Sequence, residues 1–345
     1  MSALNHAELM ITDIIHKLVD RINLNEAEAR HAMEELMAGR ATDIQVAGFL
    51  TALRMKGESA LELAAFARVM RERAEPFWNG EVLPVLDTCG TGGDRSGTFN
   101  ISTAAAFVVA GTGIRVAKHG NRSASSKCGS ADVMEALGID IQMPADRLRQ
   151  AITDVGIGFL FAQRYHSSMK HVMPARSQLA MRTVFNVIGP LSNPALPRFQ
   201  VVGVASMMMI DLVAHALQEL GTEHSFVICG KDGVDEISIS APTAIRELKE
   251  GEITSYTISP EDYGIFSVSS AKIQGGDATA NAAILESIFR GERGPKRDVV
   301  VLNAAAGIVA GGAAKSMQDG IRAAENAIDS GAALKKLENL RELSK

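Results

Sequence analysis

A chain of 345 residues, 46% apolar and 22% charged, has enough material for a substantial core and two domains, which excludes a disordered polymer. Its net charge of -5 argues against a nucleic-acid binder held by bulk electrostatics, so an anionic ligand has to be drawn in by local cations such as Lys118, Arg122 and Lys127. Cys89, Cys128 and Cys229 are odd in number and widely spaced without a CxxC pair, which predicts reduced thiols in a cytoplasmic setting rather than disulfides or zinc.

Residues 1–76 read as a helical domain. Residues 1–10 lack the basic and apolar regions of a secretory signal, and Leu9 to Ile22 predicts an amphipathic helix with Met10, Ile14, Leu18 and Ile22 on one stripe. Three further helix starts are marked by Asn25-x-x-Glu28, Thr42-x-x-Gln45 and Ser59-x-x-Glu62. In each pair, the first side chain would accept from the third helical N–H while the acid or amide reaches back. Gly39 and Gly57 fall where closing glycines belong. Apolar excess in 47–55 and 61–70 predicts a covered face, hence a homodimer through this domain.

After Pro76-Phe77-Trp78, short β-branched runs alternate with helix-like stretches, which predicts an α/β domain with a central, mostly parallel sheet. Strands are expected at 82–86, 114–117, 199–205 and 226–229, and helices at 104–110, 211–220, 278–289 and 320–343. Residues 177–188 have helical periodicity closed by Gly189-Pro190, so about 175–194 are expected to rejoin the helical domain. That leaves 77–174 and 195–345 for the α/β domain. The most apolar window, 299–314, is interrupted by Asn303 and small residues and is too short to span a membrane.

Two polar loops at strand ends carry the chemistry. Gly90-Thr91-Gly92-Gly93-Asp94 lets backbone N–H groups approach anionic oxygens, and the helix start at Asn100-Ile101-Ser102-Thr103 aims its positive end at the same place. Lys118-His119-Gly120-Asn121-Arg122-Ser123-Ala124-Ser125-Ser126 mixes a point charge, a planar fork and hydroxyls, which suits a phosphate-rich ligand. Asp235 and Glu236 are hard carboxylates beside a turn at Gly233, and with Ser102 they form a candidate magnesium set, provided the chain bends there. No nucleophile elbow or H-E-x-x-H accompanies His119, His166 and His171, so His119 and His166 read as polar pocket lining. Arg176 is a candidate carboxylate partner.

In these motifs, and in Gly129-Ser130-Ala131-Asp132, Phe185-Asn186, Gly189-Pro190-Leu191 and Asn193-Pro194, the chain resembles the anthranilate phosphoribosyltransferases over most of its length. The resemblance implies the fold shared by nucleoside phosphorylases and these transferases. It also implies transfer of a phosphoribosyl group from 5-phosphoribosyl 1-diphosphate to anthranilate with Mg2+. Carried over, Gly90, Gly93, Asp94, Thr98, Asn100, Ile101, Ser102, Thr103, Lys118 through Ser126, and Ser130 would hold the donor. Gly90, Asn121 and Arg176 would contact anthranilate, and Ser102, Asp235 and Glu236 would serve the metal, with no single residue acting as general base. Two departures stand out: Ala180 replaces a usual Gly before Met181-Arg182-Thr183, and Gly230-Lys231 replaces a usual His-Gly. A pyrimidine nucleoside phosphorylase and a non-catalytic, nucleic-acid-binding relative are the alternatives.

Overall fold

A computed structural model describes residues 10–123 and 127–345. The chain divides into two units, one of residues up to 74 together with 166–192, the other of 75–165 with 193–345.

The helical unit begins with α1 (Ile11–Val19), α2 (Glu26–Met37), α3 (Asp43–Lys56) and α4 (Ala60–Arg73). Each predicted capping box forms: Asn25, Thr42 and Ser59 accept from the N–H of Glu28, Gln45 and Glu62, and those side chains return the bond. A cap of this kind stabilises a helix by about 1 kcal/mol. Glu62 does more, because its fully buried carboxylate also accepts from Leu24 N at 2.8 Å and from Lys56 Nζ at 2.8 Å, tying α3, α4 and the α1–α2 connection together. The predicted α1 stripe is half realised: Ile14 and Leu18 are buried, whereas Met10 and Ile22 are exposed, because the helix runs only from Ile11 to Val19 and both lie outside it. Most of the apolar excess in 47–55 and 61–70 is consumed by the unit's own core, including Phe49, Leu53, Phe66 and Met70. Ile44, Met55 and Val19 remain outside it, at 85%, 72% and 65% exposure.

The chain then runs through β1 (Leu86–Gly90), α5 (Ile101–Gly111), β2 (Val116–Gly120), α6 (Ser130–Ala136), α7 (Ala145–Gln150), β3 (Ile157–Phe161) and α8 (Ala162–Tyr165). It returns to the helical unit with α9 (Met173–Leu179), preceded by a 3-10 turn at Ser167–His171. This return starts at 166 rather than about 175. The 3-10 turn has no apolar period to read, yet it packs on α2, with Ser168 Oγ 3.5 Å from Met37 Sδ. The expected helix over 177–188 is also displaced, since α9 ends at Ala180 in a left-handed conformation (φ 48°) and 184–186 form only a 3-10 turn.

The second unit resumes with β4 (Phe199–Gly203), α10 (Met207–Glu219), β5 (His224–Gly230), β6 (Thr243–Lys249), β7 (Glu252–Ile258), α11 (Ala278–Phe289), α12 (Pro295–Ala310), α13 (Met317–Asp329) and α14 (Ala332–Leu343). The sheet order is β3-β2-β1-β4-β5-β6-β7, parallel through β5 and antiparallel beyond it. α5 and α12 pack on each other and on the sheet. The run Val299–Ala310 is buried on every side, which is why it showed no amphipathic period. The expected single helix 320–343 is broken at Ser330-Gly331, where Gly331 takes φ 75°. Among the described residues no helix is long and apolar enough to cross a membrane.

Candidate active site

The strand order reverses between β1 and β4, so a crevice forms outside their carboxyl ends, the usual ligand position in an open α/β sheet. β1 lies later than predicted. Pro84 offers no N–H for a ladder, and the strand instead takes in Asp87, Thr88 and Cys89, polar residues that the sequence placed in a loop. Asp87 is fully buried, accepting from Asn193 Nδ2 at 2.9 Å and His119 N at 3.1 Å; burial pushes its carboxyl up to about 6, against the pull of Lys118.

Lys118 is likewise a strand residue and not a loop cation. Only 2% exposed, it directs Nζ to the carbonyl of Thr88 and, at 3.4 Å, to Ser102 Oγ. Burial lowers its pKa, with Asp87 opposing. The β2 ladder thus carries a positive charge beneath the first turn of α5. His119 is buried beside it, at 8% exposure.

The glycine turn and the acidic pair meet. Gly92 N donates to Asp235 Oδ2 at 2.8 Å, and Ser102 N, at the start of α5, donates to Glu236 Oε1 at 3.1 Å. Gly92 and Gly93 sit at φ 63° and 76°, which L side chains rarely adopt. The required bend after β5 comes from Gly230 to Gly233, where Gly230 N donates to Val234 O at 2.9 Å and Lys231 N to Pro242 O at 2.8 Å. The loop closes on Gly230-Lys231 as they stand. Burial first, then Asp94, pushes Asp235 up to about 6; burial first, then Asp235, pushes Glu236 well above the carboxylate range. Among the described residues Asp94 Oδ2 is buried with no hydrogen-bond partner, as are the hydroxyls of Thr91 and Thr103.

This excess of desolvated carboxylate oxygen fits a hard divalent cation. Among the described residues no three acidic, His or Cys side chains form a ready cage. Mg2+ keeps waters and takes one or two carboxylates plus substrate phosphates, so a full protein cage is not a requirement for it.

The second loop leaves β2 at Gly120 and is folded by Asp132, whose Oδ2 accepts from Gly129 N at 2.8 Å and Ser123 N at 3.1 Å. Ser130 Oγ accepts from Asn121 N at 3.2 Å. Arg122 does not stand free over the loop: its guanidinium pairs with Asp132 at 3.0 Å and Glu135 at 2.6 Å and lies 5.7 Å from the Phe161 ring. Ala124, Ser125 and Ser126, named from the sequence as donor ligands, lie outside the described residues. Asn100 precedes α5 without a side-chain cap bond; its Oδ1 accepts from Asn281 Nδ2 at 2.9 Å and its Nδ2 donates to Cys128 O at 3.3 Å. Thr98 forms a bridge with Gln274, and Ile101 is core.

Arg176 belongs to the helical unit, on α9. Its guanidinium stacks 5.0 Å from the Phe185 ring and approaches Met173 Sδ at 3.6 Å, and burial lowers its pKa. Among the described residues no carboxylate lies within ion-pair distance of it. His166, expected to line a pocket, is an interior side chain held by the backbone of Ser192 and Met70, and burial takes its pKa down to about 4. Gly203, Asn281 and Asn303 were not named as functional; each acts on a partner remote in sequence, for which single-chain spacing gives no signal, whereas Asp132 lies three residues from Gly129 in a capping-box spacing.

Fold and site together define a glycosyltransferase: residues 83–334 match the glycosyl transferase family, a/b domain, and 12–74 its helical bundle domain. The chain is 49% identical over 331 residues to the anthranilate phosphoribosyltransferase of Symbiobacterium thermophilum, covering 96% of this chain and 97% of that one. It superposes on the crystal structure of the Thermus thermophilus enzyme of that name with a TM-score of 0.90 at 41% identity, covering 96% and 99% of the two chains. The Saccharomyces cerevisiae enzyme in complex with PRPP and Mg gives a TM-score of 0.87 at 27% identity, with 98% of each chain covered. The chain belongs to the anthranilate phosphoribosyltransferase family and is a pentosyltransferase.

Proposed function

We propose that the chain transfers the 5-phosphoribosyl group of 5-phosphoribosyl 1-diphosphate to the amine of anthranilate, giving N-(5-phosphoribosyl)anthranilate and diphosphate for tryptophan biosynthesis. The observation that carries this reading is the convergence of the Gly92 turn, the start of α5 and the Asp235-Glu236 pair at the carboxyl ends of the central strands. The N–H groups of Gly92 and Ser102, now given to carboxylates, sit where the diphosphate of the donor would be received. Gly90, Gly93, Asp94, Thr98, Asn100 through Thr103, Lys118 through Ser126 and Ser130 would hold the donor, with Lys118 supplying positive charge from beneath.

Asp235, Glu236 and Ser102 would hold magnesium, which when bound supplies charge neutralisation for the departing diphosphate. The acceptor needs no strong base, because an aromatic amine is neutral at pH 7 and its lone pair has only to be positioned at the anomeric carbon. Arg176, together with Gly90 and Asn121, would receive anthranilate; a half-buried guanidinium resting on the Phe185 ring and near the Met173 sulfur suits a carboxylate. Exposed Ile44, Met55 and Val19 support a homodimer through the helical unit, and three free thiols support a cytoplasmic location. A monomeric mass in analytical ultracentrifugation at micromolar concentration would remove the dimer.

The test is to mix protein, magnesium, 5-phosphoribosyl 1-diphosphate and anthranilate and follow loss of anthranilate fluorescence. Transfer is expected only with all components. Phosphorolysis of thymidine, or salt-sensitive binding of labelled DNA without transfer, would reverse the reading in favour of the two alternatives.

A further inference from the structure

We infer that Asn303 is a positioning residue for the acidic loop, holding Glu236 at the start of α5 through the backbone of Ile237. The inference rests on the phosphoribosyl-transfer reading above. Asn303 is the polar side chain in the otherwise apolar buried run of α12 and is itself only 2% exposed. An amide buried there is unfavourable unless every hydrogen-bonding direction is used.

The amide is well used. Asn303 Oδ1 accepts from Ile237 N at 2.8 Å, and Nδ2 donates both to Ile237 O at 3.0 Å and to Val299 O at 2.8 Å, one turn earlier in its own helix. The bond to Val299 fixes the rotamer, and the other two grip both polar groups of a single residue, as a neighbouring strand would. A two-point grip sets orientation as well as position. The residue so gripped follows Glu236 directly, and the Glu236 carboxylate is met from the other side by Ser102 N at 3.1 Å.

The two anchors belong to helices that are themselves locked. Gly307 lies one turn beyond Asn303, and a methyl group there would come within 2.8 Å of Val109 Cγ2 on α5, so α12 approaches α5 as closely as a glycine permits. Glu236 is therefore suspended between two fixed points. Without Asn303, the Ile237 peptide would have to find other partners in an apolar surrounding, and Glu236 would lose the orientation that offers its oxygens to magnesium.

The measurement combines amide hydrogen exchange at Ile237 with magnesium activation of the full-length enzyme. Asn303→Leu keeps the branching at Cγ and removes all three bonds; Asn303→Asp keeps the acceptor for Ile237 N–H, loses both donations, and serves if the first variant fails to fold. We expect Ile237 to exchange about tenfold faster or more in Asn303→Leu, and the half-activating magnesium concentration to rise about tenfold in either variant, as for loss of buried hydrogen bonds. The KM for anthranilate should change by less than about twofold, since no acceptor contact is altered. In a Glu236→Gln background the same substitution should add less than about twofold to the magnesium requirement, because the group it positions is gone.

Faster exchange at Ile237 with an unchanged magnesium response would reduce Asn303 to a packing role and overturn the inference, as would an equal magnesium effect in the Glu236→Gln background. Wild-type protein without magnesium-dependent transfer would overturn the functional reading, and this role with it, whatever the exchange data show.

Discussion

The α-carbon of Gly203, at the end of β4, lies so close to the carbonyl oxygen of Asp235 that a methyl group there would overlap it. The same glycine gives its own carbonyl to Thr91 N at 2.8 Å, so β4 braces the glycine turn and the acidic loop at once. Neither atom is the far end of a flexible side chain. Gly203→Ala must therefore shift the backbone carrying Asp235, and a displacement near 1 Å at a reacting site costs on the order of a hundredfold in rate. We expect kcat/KM for the donor to fall by about that factor while the protein still folds, as read by steady-state kinetics beside circular dichroism.

Magnesium dependence tests the acidic pair itself. Asp235→Asn and Glu236→Gln remove the charge while keeping the shape, and both are expected to shift the magnesium activation curve to higher concentration, by about tenfold or more for loss of a charged ligand. An identical titration would exclude the altered residue as a ligand.

Arg176 separates acceptor binding from chemistry. Its removal takes away a charge-assisted fork but touches no group at the anomeric carbon, so Arg176→Ala should raise the KM for anthranilate by about ten- to a hundredfold with a smaller change in kcat. An unchanged KM would count against the assignment.

The helical unit was the more legible half of the molecule, because its helices announce themselves locally. Asn25, Thr42 and Ser59 carry their own start signals three residues from their partners, and those caps form as spaced. The sheet was less legible for a physical reason. Asp87 and Lys118 look like loop residues, yet they complete strands because Asn193 and the Thr88 carbonyl, far along the chain or on another strand, satisfy them in the interior. The candidate donor and metal motifs were read from residue type, but the bracing by Gly203 and Asn303 was not, since each depends on which segments the fold brings together. α12 escaped notice because burial on all sides erases the period that marks a surface helix.

Ala180 gives a test of stability at a departure from the family pattern. It sits at φ 48° and ψ 31°, closing α9 with its N–H on the Arg176 carbonyl at 3.2 Å. A Cβ in this left-handed region costs about 1–2 kcal/mol, part of which glycine loses again in the unfolded chain. Ala180→Gly should stabilise the helical unit by about 0.5–1 kcal/mol, visible as a higher denaturant midpoint. Tighter positioning of Arg176 would appear alongside as a modestly lower KM for anthranilate.

His166 sets the acid limit of the same unit. Burial holds its imidazole down at about 4, against an ordinary 6.5, so the folded form resists a proton that the unfolded chain accepts. Above pH 6.5 both states are neutral and His166 adds no slope. Between 6.5 and about 4 the unfolded state binds the extra proton, and stability falls with pH by a total of about 3 kcal/mol; below 4 both states are protonated and the loss stops growing. His166→Gln retains a polar side chain that does not titrate, so it should flatten this portion of the stability curve while leaving the rest of the acid transition in place. Denaturant midpoints measured at half-unit steps from pH 7 to pH 4 would show it, and parallel curves for the two proteins would mean that His166 is not the group that takes up the proton.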